Sequence, residues 1–565
     1  MATSPAVAPL KVSKSTMSMF LRTRCDKELF LSLHDKKTMA SLGLPEPIKR
    51  PGIGILAVEG KEFELERNDA LVQLFPGLVE FSKSGTAYSD LDLHTVLTRL
   101  STPMALILQG RFSVGKQQAA VLTRIGLPPS DAALVPPLTD FIPDVIFVRA
   151  AVEGEMEVHQ DGTRTAINHL VENRQALSIL DIKHTAEANP SYCSEIAMYA
   201  LMLANWLALD PRQASRYFVS SSAYLWTRYK QGDSDLEKLV QVGGGTTADL
   251  FQALIQDSED AQLRFYLAAI RGFFEDVVRV VQLGTASPTG WQDLEWHVAN
   301  ACGNCDWLGD KRHMGANQRT VVDTNPCHYC MPLASATGHL CLVPGVTRGA
   351  RKVLHLNTVP DTQTLAGAAG HPALQLHTLL KREAKVLPAR SAAITTGNLS
   401  TDPDAIIASL VRSAHLLLYA SVNFDSSSGL LTGLALSGTA TSFTRGQAPR
   451  RFQAVPFLVD QKTLDAEWVA LEGFLTQIAN CIDAAEGMVT GTLTGQIHFW
   501  EQRQIEELCN AMGRHLPRVM RLADRRARAL AWVFSPDEMI ARPESMEAAT
   551  VVAVDEIVRR MVFAP

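Results

Sequence analysis

Asp181-Ile182-Lys183 closes the short apolar run Ala176-Leu177-Ser178-Ile179-Leu180 and sets a carboxylate and an ammonium two residues apart. Side chains at i and i+2 of a strand point to one face, so a strand here delivers Asp181 and Lys183 to the same side. A second carboxylate, Asp144, heads another strand-like run, Val145-Ile146-Phe147-Val148, after Phe141-Ile142-Pro143. Glu195 and Tyr199 are four apart and share one face of the helix that the pattern predicts from Ser194 to Leu209. This set suits metal-assisted phosphodiester cleavage. Two carboxylates hold a divalent ion, Mg2+ or Mn2+, which polarises the phosphate and lowers the pKa of a water, and the lysine steadies developing charge. A D-x-K tripeptide alone also occurs as a surface salt bridge. The weight lies in its order, its apolar flanks and the helix that follows.

The elements needed to position these groups are legible in outline. Met17 to Leu33 carries apolar residues at helical spacing, with Ser15 and Thr16 as caps. Residues 50 to 150 alternate short apolar strands with helical stretches, and helices dominate from Ser194 to about Val281. The segment from Pro344 to Gly397 has little regular signal and reads as a linker. Gly243-Gly244-Gly245 and Ser426-Ser427-Ser428 read as turns. At 565 residues the chain exceeds one ordinary core. Its 46% hydrophobic and 20% charged content is globular. A net charge of −6 excludes a generally basic coat for nucleic acid but allows a local basic track. Neither a signal-peptide pattern nor an apolar run of about 18 residues is present, so a soluble, cytoplasmic protein without a membrane partner is expected.

Nine cysteines occur, in a chain without an export signal. Cys302-Gly-Asn-Cys305 and Cys327-His-Tyr-Cys330 form two C-x-x-C pairs 21 residues apart, a spacing that points to Zn2+ held by four thiolates. Cys193, Cys341, Cys481 and Cys509 lack such spacing and read as packing residues. His339 reads as a structural imidazole.

These motifs together resemble the RecB-type branch of the PD-(D/E)XK nucleases. Pro143-Asp144 stands for the PD element, Asp181-Ile182-Lys183 for D-x-K, and Glu195-x-x-x-Tyr199 for Q-x-x-x-Y, with glutamate in place of glutamine. Ser13 to Cys25 is similar to the opening serine-to-cysteine helix of the iron–sulfur members, which include the CRISPR-associated exonucleases and AddB. The resemblance implies a [4Fe–4S] cluster on one early and three late cysteines, drawn from Cys25, Cys302, Cys305, Cys327 and Cys330. In that reading Cys327 or Cys330 is surplus; in the Zn2+ reading Cys25 is. The stretch Cys302-x-x-Cys305-Asp306-Trp307-Leu308-Gly309, then Cys330-x-Pro332-x-Ala334 and Gly338 to Ala350, is similar to the tail of predicted RecB-type nucleases that serve superfamily 1 helicases. No helicase motif set is present here. The resemblance therefore implies DNA as substrate and a separate helicase or ATPase subunit as partner, in bacterial defence or DNA processing.

Two further motifs bear on function. Gly110-Arg-Phe-Ser-Val-Gly115-Lys116-Gln117 is G-x-x-x-x-G-K after an apolar run, but Gln117 replaces the hydroxyl residue that ligates Mg2+. A P-loop-like ATPase is the alternative function it offers; a catalytically dead scaffold that binds DNA or a partner is another. In the last third, Leu416 to Asp425 and Leu430 to Leu436 predict a hairpin, and Ile497 to Gln502 begins a strand that runs into a helix. That part resembles a degenerate RNase H-type domain, and Asn423-x-Asp425 lacks the acid pair an active one needs. Arg514, Arg518, Arg521, Arg525 and Arg528 predict a basic helical stripe, either along a phosphate backbone or as a solvated face paired with Asp524. The expected architecture is α/β. A RecB-like nuclease domain spans 1–345, with a helical insertion at about 200–300 and a cysteine closure; a linker spans 346–400, and a C-terminal α/β domain spans 401–565.

Overall fold

The computed structural model describes residues 10–49, 53–185, 188–227, 245–287, 289–309, 328–401, 410, 413–425, 428–444, 446–522, 529 and 551–563. The chain is mixed α/β and divides into two compact units, Met1–Leu342 and Val343–Pro565. Among the described residues no helix is long and apolar enough to cross a membrane.

In the first unit the helices that matter for the site are α1 (Lys14–Thr23), α2 (Asp26–Ser32), α3 (Ile53–Leu74), α4 (Pro190–Leu207) and α5 (Leu263–Gly284). The strands are β1 (Val79–Glu80), β2 (Ala105–Leu108), β3 (Val145–Ala150), β4 (Gln175–Lys183), β5 (Tyr217–Val219), β6 (Tyr224–Thr227) and β7 (Glu259–Asp260). They form one mixed sheet in the order β1-β2-β3-β4-β6-β7, with β5 also paired to β4. The middle strands are buried on both faces, which is why β3 and β4 read as unbroken apolar runs rather than alternating ones. Ile107, Ile146, Leu177 and Ile179 face one core, which holds Met17 and Phe20 of α1, α4, and Phe273 and Phe274 of α5. Leu106, Leu108, Val145, Phe147, Leu180 and Ile182 face another, closed by Phe63 and Leu71 of α3 with Phe251 and Leu254.

Three expectations are corrected here. The helix expected over Met17–Leu33 starts at Lys14 under a Ser13–Thr16 capping box and breaks after Thr23, where Arg24 turns left-handed at φ 50°. The stretch expected to be a helical insertion contains β5 and β6, both in the main sheet. The 346–400 linker is instead helical, at Arg348–Leu356, Thr362–Ala366, Thr378–Arg382 and Val386–Thr396, and belongs to the second unit.

The second unit has a five-stranded sheet of β8 (Leu416–Phe424), β9 (Leu431–Ala440), β10 (Arg450–Leu458), β11 (Gly495–Phe499) and β12 (Val551–Ala553), in the order β10-β9-β8-β11-β12. The first three are antiparallel, and β11 and β12 run parallel to β8. Between β10 and β11 lies α6 (Leu464–Glu486), and after β11 comes α7 (Gln502–Arg514). The hairpin and the strand-to-helix passage expected from the pattern are both present.

Candidate active site

Strand register brings the two acids together. Leu180 pairs with Val145 as the last step of the antiparallel β3–β4 ladder, so Asp144 and Asp181 each lie one residue beyond that pair. The Ile182 N–H donates to Asp144 Oδ2 at 2.7 Å. Asp181 is fully buried, and Lys183 Nζ lies 2.5 Å from its Oδ2 as an ion pair. Neither Asp181 oxygen has hydrogen-bond geometry to any partner, an uncommon state for a buried carboxylate. Burial, reinforced by the Asp181 charge, pushes Asp144 up to about 8. Burial also raises Asp181, but Lys183 and Lys14 outweigh it and hold that carboxyl below its ordinary range. The two shifts run apart, favouring the protonated form at Asp144 and the ionised form at Asp181. Burial lowers Lys183, yet Asp181 and Asp144 overcome it and keep the ammonium charged.

Helix α4 supplies the expected partners. Asn189 caps it by accepting from the Ser191 N–H, and Pro190 occupies its first turn. Tyr199 donates its hydroxyl to the Ile142 carbonyl at 2.8 Å and so anchors the segment that leads into Asp144. Burial, with Asp181 and Asp144, holds its phenol protonated. Glu195 is buried one helical turn away.

Four residues around the pair carry no local motif. Lys14, on α1, lies 3.7 Å from Glu195 Oε2 and 4.5 Å from the centre of the Tyr199 ring. Glu64, on α3, accepts from Gln109 Nε2 at 2.7 Å. Its carboxyl is raised by burial and by Asp181, against Lys183 and Lys14. Gln109 itself sits at φ 52° and donates its N–H to the Asp144 carbonyl. Tyr192 places its ring 5.7 Å from Lys183 Nζ. The spacing of charged residues in the chain gives no signal for Lys14 or Glu64, which are 167 and 117 positions from Asp181.

Cys25, Cys302, Cys305 and Cys330 line one pocket with Lys27, Glu28, His297 and Trp307. All four are buried free thiols. Cys327 lies outside the described residues. The Ala299 and Trp307 amides point at Cys302 Sγ and Cys305 Sγ, each at 3.4 Å. Burial pushes Cys330 up to about 12 against the pull of Lys27. Burial, then Cys330, raises Cys25; burial, then Glu28, raises Cys305. Four convergent sulfurs and an adjacent buried ammonium suit a thiophilic metal. Among the described residues, however, no three His, Cys, Asp or Glu side chains are already arranged to hold an ion. Cys193 and Cys481 sit in the cores, Cys341 and Cys509 are partly buried, and His339 stacks on Trp296 at 4.4 Å.

The remaining motifs resolve differently. Around Gly110–Lys116 the Phe112 N–H donates to Phe141, the Gly115 N–H to Ser113 Oγ and the Gln117 N–H to Val114. Three of the loop's amides are thus engaged, and the following helix is only Gln118–Arg124. The arginine stripe is not one helix. Helix α7 ends at Arg514, which donates to Glu467 Oε1 at 2.5 Å, and Arg518 pairs with Asp465. Arg525, Arg528 and Asp524 lie outside the described residues, as do Gly243, Gly244, Ser426 and Ser427. Asp425 accepts from Ser428 Oγ and lies 3.2 Å from Lys462 Nζ. Comparison of the chain with protein families, curated proteins and solved structures finds no match.

Proposed function

We propose that this chain is a metal-dependent deoxyribonuclease of the RecB-type PD-(D/E)XK kind that works with a separate helicase or ATPase subunit in bacterial defence or DNA processing. The observation that carries this reading is the convergence of Asp144 and Asp181 at the end of the β3–β4 ladder, where Asp144 Oδ2 accepts from the Ile182 N–H and Lys183 pairs with Asp181. Two buried carboxylates, with the Asp181 oxygens outside any hydrogen-bond geometry, form a hard, anionic oxygen site, which suits Mg2+ or Mn2+. That ion, when bound, supplies Lewis-acid polarisation of the phosphate and a more acidic water. The chain's own part follows from the geometry. Asp144 and Asp181 would hold the ion with Asp144 ionised, Lys183 would face the charge that gathers on the phosphate oxygens, and Tyr199 anchors the segment that leads into Asp144. Water adds to phosphorus, the scissile P–O bond breaks, and the leaving oxygen takes up a proton.

The thiol pocket supports a [4Fe–4S] cluster on Cys25, Cys302, Cys305 and Cys330, because Cys25 shares the pocket with the late cysteines. A Zn2+ site would use Cys327 in its place. For the second unit, three antiparallel strands followed by two parallel to the first, in the order β10-β9-β8-β11-β12, support an RNase H-type domain. We read it as inactive. Glu467 is enclosed by Arg514, His515 and the Leu431 N–H, and Asp425 by Lys462 and Ser428.

The test is DNA cleavage by protein purified without oxygen, with Mn2+ and then with Mg2+. Mn2+-dependent cuts that EDTA abolishes are expected; intact DNA with either ion would overturn the reading and leave the scaffold. ATP turnover with and without DNA should stay at background.

A pH dependence follows. The Asp144 pKa is about 8 in the folded state against an ordinary 3.8. Its contribution to ion-free stability is therefore full below the unfolded value and lost as pH rises through the folded one. A divalent ion must displace that proton. Apparent Mn2+ affinity should rise by up to about tenfold per pH unit between pH 6 and pH 8 and then flatten. Thermal-shift titrations with Mn2+ at successive pH values check this, with Asp144→Asn losing the slope. Equal wild-type affinity at both ends would show that Asp144 carries no such proton.

A further inference from the structure

We propose that Lys14 is a DNA-phosphate contact of this site, binding an oxygen beside the scissile phosphate while Lys183 serves the scissile one. The inference rests on the nuclease reading and adds to it a residue from the far N-terminal helix.

Local energetics do not explain Lys14. It is the first residue of α1, where a cation opposes the positive end of the helix dipole at a cost of roughly 0.3–1 kcal/mol. The helix is already capped by Ser13 and Thr16 and has no acid in its first turn. Tertiary placement explains it. The Lys14 ammonium stands 4.5 Å from the centre of the Tyr199 ring and 3.7 Å from Glu195 Oε2, too far for a hydrogen bond. Burial pulls Lys14 down, but Asp181, Asp144, Glu195 and Glu64 outweigh it, so the ammonium stays charged. Its donors are uncommitted to a hydrogen bond among the described residues.

The two lysines differ in access. Lys183 keeps 19% of its side chain exposed and is held at 2.5 Å by Asp181. Lys14 keeps 29% exposed and has only the looser Glu195 contact. A phosphate arriving at the acid pair therefore meets Lys14 as the more open cation. The seat of α1 is firm. Met17 and Phe20 are buried, Phe20 packs on Phe273 at 6.1 Å, and the chain then enters the thiol pocket at Cys25. A ten-residue helix of about 15 Å thus bridges the two sites with little freedom to move its first residue.

The test compares wild type, Lys14→Gln, which removes the charge, and Lys14→Arg, which keeps it. Each is titrated with a short fluorescent DNA duplex in Ca2+ at several salt concentrations, then assayed for cleavage in Mn2+. One phosphate contact contributes about 0.9 to the slope of log affinity against log salt. Lys14→Gln should flatten the slope by about that amount and lower kcat/KM on the order of tenfold, mainly through KM, as loss of uniform binding does. Lys14→Arg should restore both. An unchanged slope in Lys14→Gln, or a loss that Lys14→Arg does not restore, overturns the proposal. Failure of the nuclease reading looks different: wild type leaves DNA uncut, or Asp181→Ala cuts as wild type does, whatever Lys14 contributes to binding.

Discussion

Asp181→Ala should leave DNA uncut, while the protein should still fold and still bind DNA. Asp181 is the fully buried member of the acid pair, and its charge adds to the burial that raises Asp144 and pairs with Lys183. Removing it takes away half of the proposed ion site. The ion's contribution to the transition state is several kcal/mol, so the rate should fall on the order of a thousandfold or more. Stability should move little, because two effects oppose each other. The substitution removes the charge that adds to burial in raising Asp144, which eases its ionisation. It also removes the nearest counter-ion of the mostly buried Lys183, for which Asp144 can then substitute. Lys183→Ala should lose cleavage comparably. The measurements are single-turnover cleavage in Mn2+ beside melting curves and DNA binding for each variant. Near-normal cleavage in Asp181→Ala would remove the active-site assignment.

Cys25→Ser should lose the pocket's metal and melt well below wild type, whereas Cys327→Ser should keep both. Cys25 lies between α1 and α2, and its sulfur shares a pocket with three cysteines some 280 to 305 positions later. A metal that joins them closes that loop in the folded state, and the entropy opposing closure grows only logarithmically with its length. A lost cross-link that closes a loop of roughly 300 residues costs about 4–6 kcal/mol in the chain-entropy account, or roughly 6–8 °C in melting temperature at about 2.1 cal/mol/K per residue for this unit. Cys302→Ser and Cys305→Ser should be insoluble or protease-sensitive, since a structural metal contributes to folding directly. Cys193→Ser, on α4, should behave as wild type. Iron, sulfide and zinc content with the visible spectrum, read on protein prepared without oxygen, decides the outcome. Full metal in Cys25→Ser, with loss in Cys327→Ser and Cys330→Ser, would replace the iron–sulfur assignment with a zinc ribbon.

Local patterns determined much of this protein. Apolar runs marked β3 and β4, an i, i+2 step put Asp181 and Lys183 on one strand face, and an i, i+4 step put Glu195 and Tyr199 on one helix face. Those relations depend only on periods of 2 and 3.6 residues, which any stretch of chain carries within itself. The same patterns misread β5 and β6, because apolar runs of three and four residues do not reveal their period. They also missed the helices of 348–396, several of only five residues, and joined arginines that the turn after Arg514 separates. Tertiary structure alone decided the rest. The end of the β3–β4 ladder brings Asp144 beside Asp181, α1 and α3 carry Lys14 and Glu64 to the same place, and Cys25 enters the pocket of the late cysteines. Strand register and helix docking are set by burial of whole faces against distant partners. A carboxyl's proton is likewise held by the burial and charges around it, and the chain acquires these only when it folds.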